Sequence, residues 1–377
     1  MRTTCLCVCL TGLLAMVAAG CGSNGSMAGG PTPTPTPIPT PTPALVPTFA
    51  YVANNFGSAV TMYSVNSNTG AWTPTSPASI STVTQPESLA VDPSGKFVFV
   101  ASTRDHAIGI FKVDPATGVL TPNNPATAPG PLTEGLAMHP SGKFLYVADE
   151  VNDAVAMFTI DVNTGLPTAT NPPTVPAESA PRGVAVHPSG KFAYAVNDSG
   201  SISMYSVDTS TGLLTALTPA TIPGGGLPFQ ITFDPTGRFA YVNDETSNRV
   251  PQFSVNLTTG VLTALSPSVA LSGSNSTSVA VDPSGKFAFV VNRADNKISM
   301  YKIDQNTGVL TANTPASVAT GATPFYIAVD PSGRFVYVSN ENDSTVTIYA
   351  LNSQGILSAI GTAPTGNLPS QVVLVTK

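Results

Sequence analysis

The sequence predicts an all-β protein, a seven-bladed β-propeller of four-stranded blades, closed by a C-terminal strand that completes the N-terminal blade (three strands plus one). Three observations predict it. One ten-residue pattern returns every 47 or 48 residues: VDPSGKFVFV (91–100), MHPSGKFLYV (138–147), VHPSGKFAYA (186–195), FDPTGRFAYV (233–242), VDPSGKFAFV (281–290) and VDPSGRFVYV (329–338). A period of that length built from strands alone denotes propeller blades. Residues 49–377 span 329 positions, seven times 47. Charged residues make up only 10% of the chain, against a typical quarter, while 32 Gly and 36 Pro supply many turns.

Each repeat reads as four strands. In the third complete repeat, Gly183–Val186 forms a short inner strand. His187-Pro188-Ser189-Gly190 makes a turn, with Pro at its second position, Gly at its fourth, and a backbone-capping residue, usually Asp, at its first. Phe192–Val196 is the second strand, and its near-continuous apolar run suits a sheet covered on both faces. Ser201–Val207 is the third strand, alternating Ile202, Met204, Tyr205 and Val207. Thr211-Gly212 turns the chain into the outer strand Leu213–Leu217, and the run from Pro219 to Pro228 is expected to carry it to the next blade.

The ends set the blade count. Phe49–Asn54, Val60–Val65 and Ala71–Pro74 match second, third and outer strands, so the first blade lacks its inner strand. Gln371–Val375 matches an inner strand and nothing more. Pairing the two closes the ring and removes two free sheet edges.

The first 20 residues, MRTTCLCVCLTGLLAMVAAG, combine a charged start, an apolar run from Cys5 to Ala19 and small closing residues. This reads as a secretory signal peptide, too short to span a bilayer. Cys5, Cys7 and Cys9 leave with it, so Cys21 alone remains and no intrachain disulfide is expected. Ala18-Ala19-Gly20-Cys21 resembles a bacterial lipobox, which makes Cys21 the expected lipidation site. Residues 21–48 then form a linker. Its Pro/Thr run, Pro31 to Pro43, favours polyproline II and reaches roughly 40 Å as a stalk. The expected location is the bacterial cell envelope, periplasmic or surface, on a membrane by its lipid anchor only. Gly20-x-Gly22-x-x-Gly25 has dinucleotide-fingerprint spacing but follows no strand and opens no helix, so it carries no weight.

A net charge of −6 and a pI near 4.9 argue against nucleic-acid binding. No cofactor and no metal site are expected: no zinc or Walker motif is present, and three His with one Cys make a tetrahedral zinc site implausible. His139 and His187 fill the turn slot held elsewhere by Asp92, Asp234, Asp282 and Asp330, and His106 sits in a loop. Trp72 stands where Leu120, Leu262 and Leu310 stand, in outer-strand packing. Asn340 to Asp343 offer oxygen ligands without the spacing of a calcium loop.

The run Tyr51-Val52-Ala53-Asn54-Asn55, echoed by Tyr146-Val147-Ala148-Asp149 and Tyr337-Val338-Ser339-Asn340, resembles the YVTN family of bacterial seven-bladed propellers. Together with DPSGKF and Asp-x-x-Thr-Gly-x-Leu (Asp114 to Leu120, Asp304 to Leu310), it is similar to the propeller-type, 6-phosphogluconolactonase-like lactonases. The resemblance covers residues 49–377 and implies a lactone hydrolase at the propeller mouth. Members with that activity tend to carry Pro-Arg-His before an inner strand; here the run is Pro181-Arg182-Gly183, so Arg182 is kept and the His is absent.

In a propeller the ligand mouth is where inner strands begin and where the loops after the second strands emerge. Glu87, Glu134 and Arg182 precede three consecutive inner strands, and a carboxylate general base with an oxygen-holding arginine is what lactone hydrolysis needs. These three are the candidate catalytic residues. Arg104, Glu150, Asp198, Glu245, Arg249, Arg293, Tyr326, Glu341 and Gln371 are the candidate ligand-binding residues around them. The same rim also fits a set of structural Glu–Arg pairs. Two functions follow: a monomeric, lipid-anchored binding or scaffold protein holding a small molecule, glycan or protein at its mouth, and a lactonase acting on a sugar lactone.

Overall fold

The computed structural model describes residues 47–376. The expected signal peptide, the expected lipidation site at Cys21 and the expected Pro/Thr stalk lie outside the described residues. Within them the chain forms seven four-stranded antiparallel sheets arranged as propeller blades. Blade 1 holds the inner strand Pro369–Thr376, then Pro47–Asn54, Ala59–Val65 and Trp72–Ser81. Blades 2 to 7 follow in chain order and begin at Pro86, Leu136, Pro181, Pro228, Ser276 and Pro324. The three-plus-one closure holds: Ala50 pairs with Leu374, and Val52 with Val372.

The second strands form the core. Phe97–Ser102, Phe144–Asp149, Phe192–Asn197, Phe239–Asp244 and Phe335–Asn340 are buried at every residue, because each sheet is covered on both faces by its neighbours. The blades grip one another through the Thr-Gly turn between third and outer strands. Gly118 adopts φ +73°, and a Cβ there would sit 2.3 Å from the Phe49 ring of the preceding blade. Tyr51 Oη also donates to the Gly118 carbonyl at 2.8 Å. The same Tyr-to-Gly bond recurs from Tyr146 to Gly212, Tyr194 to Gly260 and Tyr241 to Gly308. The turn histidines likewise join blades: His139 Nε2 lies 2.8 Å from the Gly190 carbonyl, and His187 Nε2 2.8 Å from that of Gly237.

One expectation is corrected. The outer strand of blade 4 runs Leu214–Pro223, so Pro219 lies inside it and does not open the connection. The ladder pairs Tyr205 with Ala216, then Ser203 with Thr221, and the residues between bulge out. Pro219 has no N–H to give a ladder, yet on the outermost strand inside a bulge none is required. Six blades share this outer-strand Pro, each after a cis peptide bond. The bulged, proline-bearing outer edge resists pairing with another sheet.

Closure makes a prediction. Deleting residues 370–377 removes the only partner of Pro47–Asn54 on its inner side. The melting temperature should then fall by at least about 10 °C in a thermal scan. A truncated protein that melts like the intact chain would contradict the closure.

Candidate active site at the propeller mouth

The mouth is built where the inner-strand ladders open. In blade 2, Pro86 pairs with Ser102 and pairing resumes only at Leu89, which frees Glu87 and Ser88. The same shift frees Phe229 and Gln230, and Phe325 and Tyr326. One residue is passed over in blades 4 and 6, Arg182 and Thr277. Bulges next to sites re-aim side chains, and here they aim two tiers inward. The rim tier carries Glu87, Glu134, Arg182, Phe229 and Phe325. The tier below carries Ser88, Gly135, Gly183, Gln230, Tyr326 and Gln371. Together they line a cavity of about 70 Å³.

Arg182 is the hub. Its Nε lies 2.7 Å from Glu134 Oε2 and 3.5 Å from Asp198 Oδ1, and its Nη1 lies 3.2 Å from Glu245 Oε2. Its guanidinium also stacks over Phe229, 4.8 Å from the ring centroid. Burial disfavours the charge, but Glu134 first, then Glu245 and Asp198, more than offset that, and the guanidinium stays charged. A second pair, Arg293 Nη2 to Glu341 Oε2 at 2.5 Å, sits elsewhere on the rim.

Glu87 has a different environment. Its carboxyl is pushed up to about 8, first by burial and then by the charge of Glu134, with Glu341 adding to both; Asn55 and Arg182 pull the other way. Asn55 Nδ2 donates to Glu87 Oε2, which leaves Oε1 to carry the proton. At neutral pH the mouth therefore holds a protonated Glu87 within the field of the arginine-paired Glu134. Two carboxyl groups with environments this different are the pattern of an acid–base pair.

The electrostatics are lopsided. Among the described residues, the loops and strand ends of the mouth face carry thirteen carboxylates against five cations; the opposite face carries eight of each. The protein's net negative charge thus belongs to the mouth. Burial and neighbouring carboxylates also raise Glu150, Asp198 and Glu245 above the ordinary range.

The structure brings Glu87, Glu134, Arg182, Tyr326 and Gln371 to one cavity. Glu150, Asp198, Glu245, Arg293 and Glu341 stand around it on the rim. Arg104 and Arg249 do not line it: both are exposed, and Arg104 Nε donates to Gln85 Oε1 at 2.8 Å. Asn340 and Asp343 serve as loop caps, with Asn340 Nδ2 on Thr347 Oγ1 and Asp343 Oδ2 accepting from Ala322 N. Gln230 and Asn55 join the site without having been singled out. Gln230 occupies the same repeat position as Tyr326 and Gln371, and that position was the signal. At Gly183, a Cβ would lie 2.5 Å from the Phe229 carbonyl oxygen. Backbone packing therefore leaves no room here for the His that the Pro-Arg-His pattern carries.

A seven-bladed propeller with an acid–arginine mouth defines the class, and sequence comparison gives the family. The chain belongs to the seven-bladed β-propeller lactonase family, whose model matches residues 47–133, 132–227 and 218–374. No curated protein matches the chain. Among solved structures it is similar to the periplasmic gluconolactonase of Pseudomonas aeruginosa, with 21% identity, TM-score 0.71, and coverage of 87% of this chain and 99% of that one. It is also similar to a Bacteroides fragilis protein provisionally named a 6-phosphogluconolactonase, with 21% identity, TM-score 0.72, and coverage of 90% and 100%. Kuenenia stuttgartiensis hydrazine synthase matches as well, with 19% identity, TM-score 0.60, and coverage of 85% and 99%. At these identities the likeness is one of fold.

The raised Glu87 carboxyl ties stability to pH. Its folded value lies above the ordinary 4.5, so the folded protein holds this proton more tightly than the unfolded chain. Stability from this group is complete below about 4.5 and is lost as pH rises through about 8. Glu87→Gln should flatten the fall in melting temperature between pH 5 and pH 9; an unchanged slope would place the Glu87 proton elsewhere.

Proposed function

We propose that the mouth hydrolyses an uncharged lactone. The observation that carries this reading is the placement of Glu87, its carboxyl raised by burial, and the arginine-held Glu134 around one small cavity. Glu134 takes a proton from water as its oxygen attacks the lactone carbonyl carbon. Arg182 faces the negative charge that develops on the carbonyl oxygen. The ring C–O bond breaks, and Glu87 gives its proton to the departing ring oxygen. Proton return from Glu134 to Glu87 resets the pair, and the product is the open hydroxy acid. This route uses a rim carboxylate in place of the family's histidine.

The charge of the mouth face selects the substrate. A phosphorylated lactone brings about two negative charges towards a surface whose acidic side chains far outnumber its basic ones, and approach is disfavoured over a Debye length of about 8 Å. An unphosphorylated lactone meets no such barrier. An exported, lipid-anchored location through Cys21 accords with that choice.

A second reading, a lipid-anchored binding protein, is favoured by two features. Three carboxylates already satisfy Arg182, and the cavity is small.

Residues 44–377 should hydrolyse D-glucono-1,5-lactone at least about tenfold more efficiently than its 6-phosphate at low salt, with the gap closing as salt rises. Glu134→Gln should lower kcat roughly 10²–10⁴-fold with the melting temperature nearly unchanged. Rates equal to buffer for both lactones would retire the hydrolase reading in favour of binding.

A further inference from the structure

We propose that Tyr326 is an obligate hydrogen-bond donor on the floor of the mouth cavity, held there to receive the carbonyl oxygen of the bound lactone as it becomes an oxyanion. The proposal deepens the hydrolytic reading above and rests on it for the identity of the ligand. Tyr326 lies in the ladder gap of blade 7, between the Pro324–Asn340 and Ile327–Val338 pairs. With no ladder partner, its backbone N–H donates instead to Ser339 Oγ at 3.0 Å, and Ser339 Oγ donates to the Ser370 carbonyl at 2.7 Å. The side chain is thereby turned into the axial channel.

Two glutamines fix its hydroxyl. Gln371 Oε1 accepts from the Leu89 backbone N–H at 2.6 Å and from Ser88 Oγ at 2.7 Å. Gln230 Oε1 accepts from the Val279 N–H at 3.1 Å and from Ser278 Oγ at 2.8 Å. A backbone N–H can only donate, so each amide has one permitted orientation. That leaves each Nε2 as a donor, and both reach the same oxygen: Tyr326 Oη is 3.1 Å from Gln371 Nε2 and 3.5 Å from Gln230 Nε2. A phenol has two acceptor sites and one proton. Both acceptor sites are taken from the flanks, and among the described residues no acceptor takes the proton. Burial raises the Tyr326 hydroxyl above its ordinary value, so it keeps that proton at neutral pH.

The surroundings limit what can take the proton. Tyr326 and Gln230 are the common wall of two spaces, the 70 Å³ mouth cavity and a chamber of about 320 Å³ towards the opposite face. Gln230, Tyr326 and Gln371 are joined by hydrogen bonds across the floor of the mouth cavity. Above it the walls are Glu87, Glu134 and Arg182. A group entering from the mouth meets Tyr326 and Arg182 as donors, the raised carboxyl of Glu87, and Glu134 as an acceptor. That set fits a carbonyl oxygen pointing down with water on the Glu134 side. With both acceptor sites of the phenol filled, its proton is directed to a group that enters the cavity, and a carbonyl oxygen takes it best when charged.

The test uses two variants and two probes. Tyr326→Phe keeps the ring and removes the proton. Gln371→Glu keeps the hydroxyl, but its carboxylate cannot donate to the phenol and accepts its proton instead, pulling the donor off the cavity. On D-glucono-1,5-lactone both variants should lose ~10²–10³-fold in kcat with KM within about threefold and melting temperature nearly unchanged. D-Gluconolactam, which keeps the carbonyl and does not hydrolyse, should bind each variant at least about tenfold more weakly than wild type by calorimetry. Wild type that binds the lactam but turns over no lactone, with the tenfold loss intact in both variants, would sink the hydrolase reading and sustain the donor. Variants within about threefold of wild type in kcat and in lactam affinity would overturn the proposal, as would wild type that neither binds the lactam nor hydrolyses the lactone.

Discussion

Everything in this propeller depends on one repeated contact, a Phe of each second strand lying where the next blade's turn glycine has no side chain. The series runs Phe49–Gly118, Phe97–Gly165, Phe144–Gly212, Phe192–Gly260, Phe239–Gly308, Phe287–Gly355 and Phe335–Gly70, and the last contact returns to the first blade. Each glycine sits at positive φ, so two demands fall on one residue: a left-handed turn and the absence of a Cβ. The motif Asp-x-x-Thr-Gly-x-Leu is the sequence form of that contact. The mouth ends of the inner strands lie away from this contact, and there the ladders bulge.

Those bulges make the site. A regular ladder would spend the side chains of residues such as Glu87, Arg182 and Tyr326 on alternate sheet faces. With pairing suspended, successive residues point into the channel in two tiers, charged above and amide, hydroxyl or glycine below. The glycines of the lower tier lie beneath Glu134 and Arg182, where neighbouring backbones approach too closely for a Cβ. Beside them Glu87 is raised first by its own burial and then by the charge of Glu134.

The architecture was legible because a 47-residue period, turn signals and unmatched ends are properties of the chain alone. The rim was legible for the same reason: Glu87, Glu134 and Arg182 share one repeat position. Partner choice was not. Arg182 bonds Glu245, 63 residues away in another blade, while Arg104 and Arg249, equally charged and in adjoining loops, turn outward. Nor does composition reveal that Pro219 sits within a strand, since a bulge removes the need for its missing donor. The lower tier was visible as a column of residues, but its role needed the hydrogen bonds of Gln230 and Gln371, which depend on backbone N–H groups of neighbouring blades.

The shared fold by itself admits several chemistries. At this mouth burial raises one carboxyl while an arginine holds its neighbour, and Gly183 stands where the Pro-Arg-His pattern carries its histidine. The most direct measurement is a ¹³C NMR titration of the Glu87 side-chain carboxyl in the intact propeller, assigned with Glu87→Gln. The account predicts a transition near 8 that shifts downward in Glu134→Gln as the neighbouring charge is removed. A Glu87 that titrates near its ordinary 4.5, or one indifferent to Glu134, would contradict it.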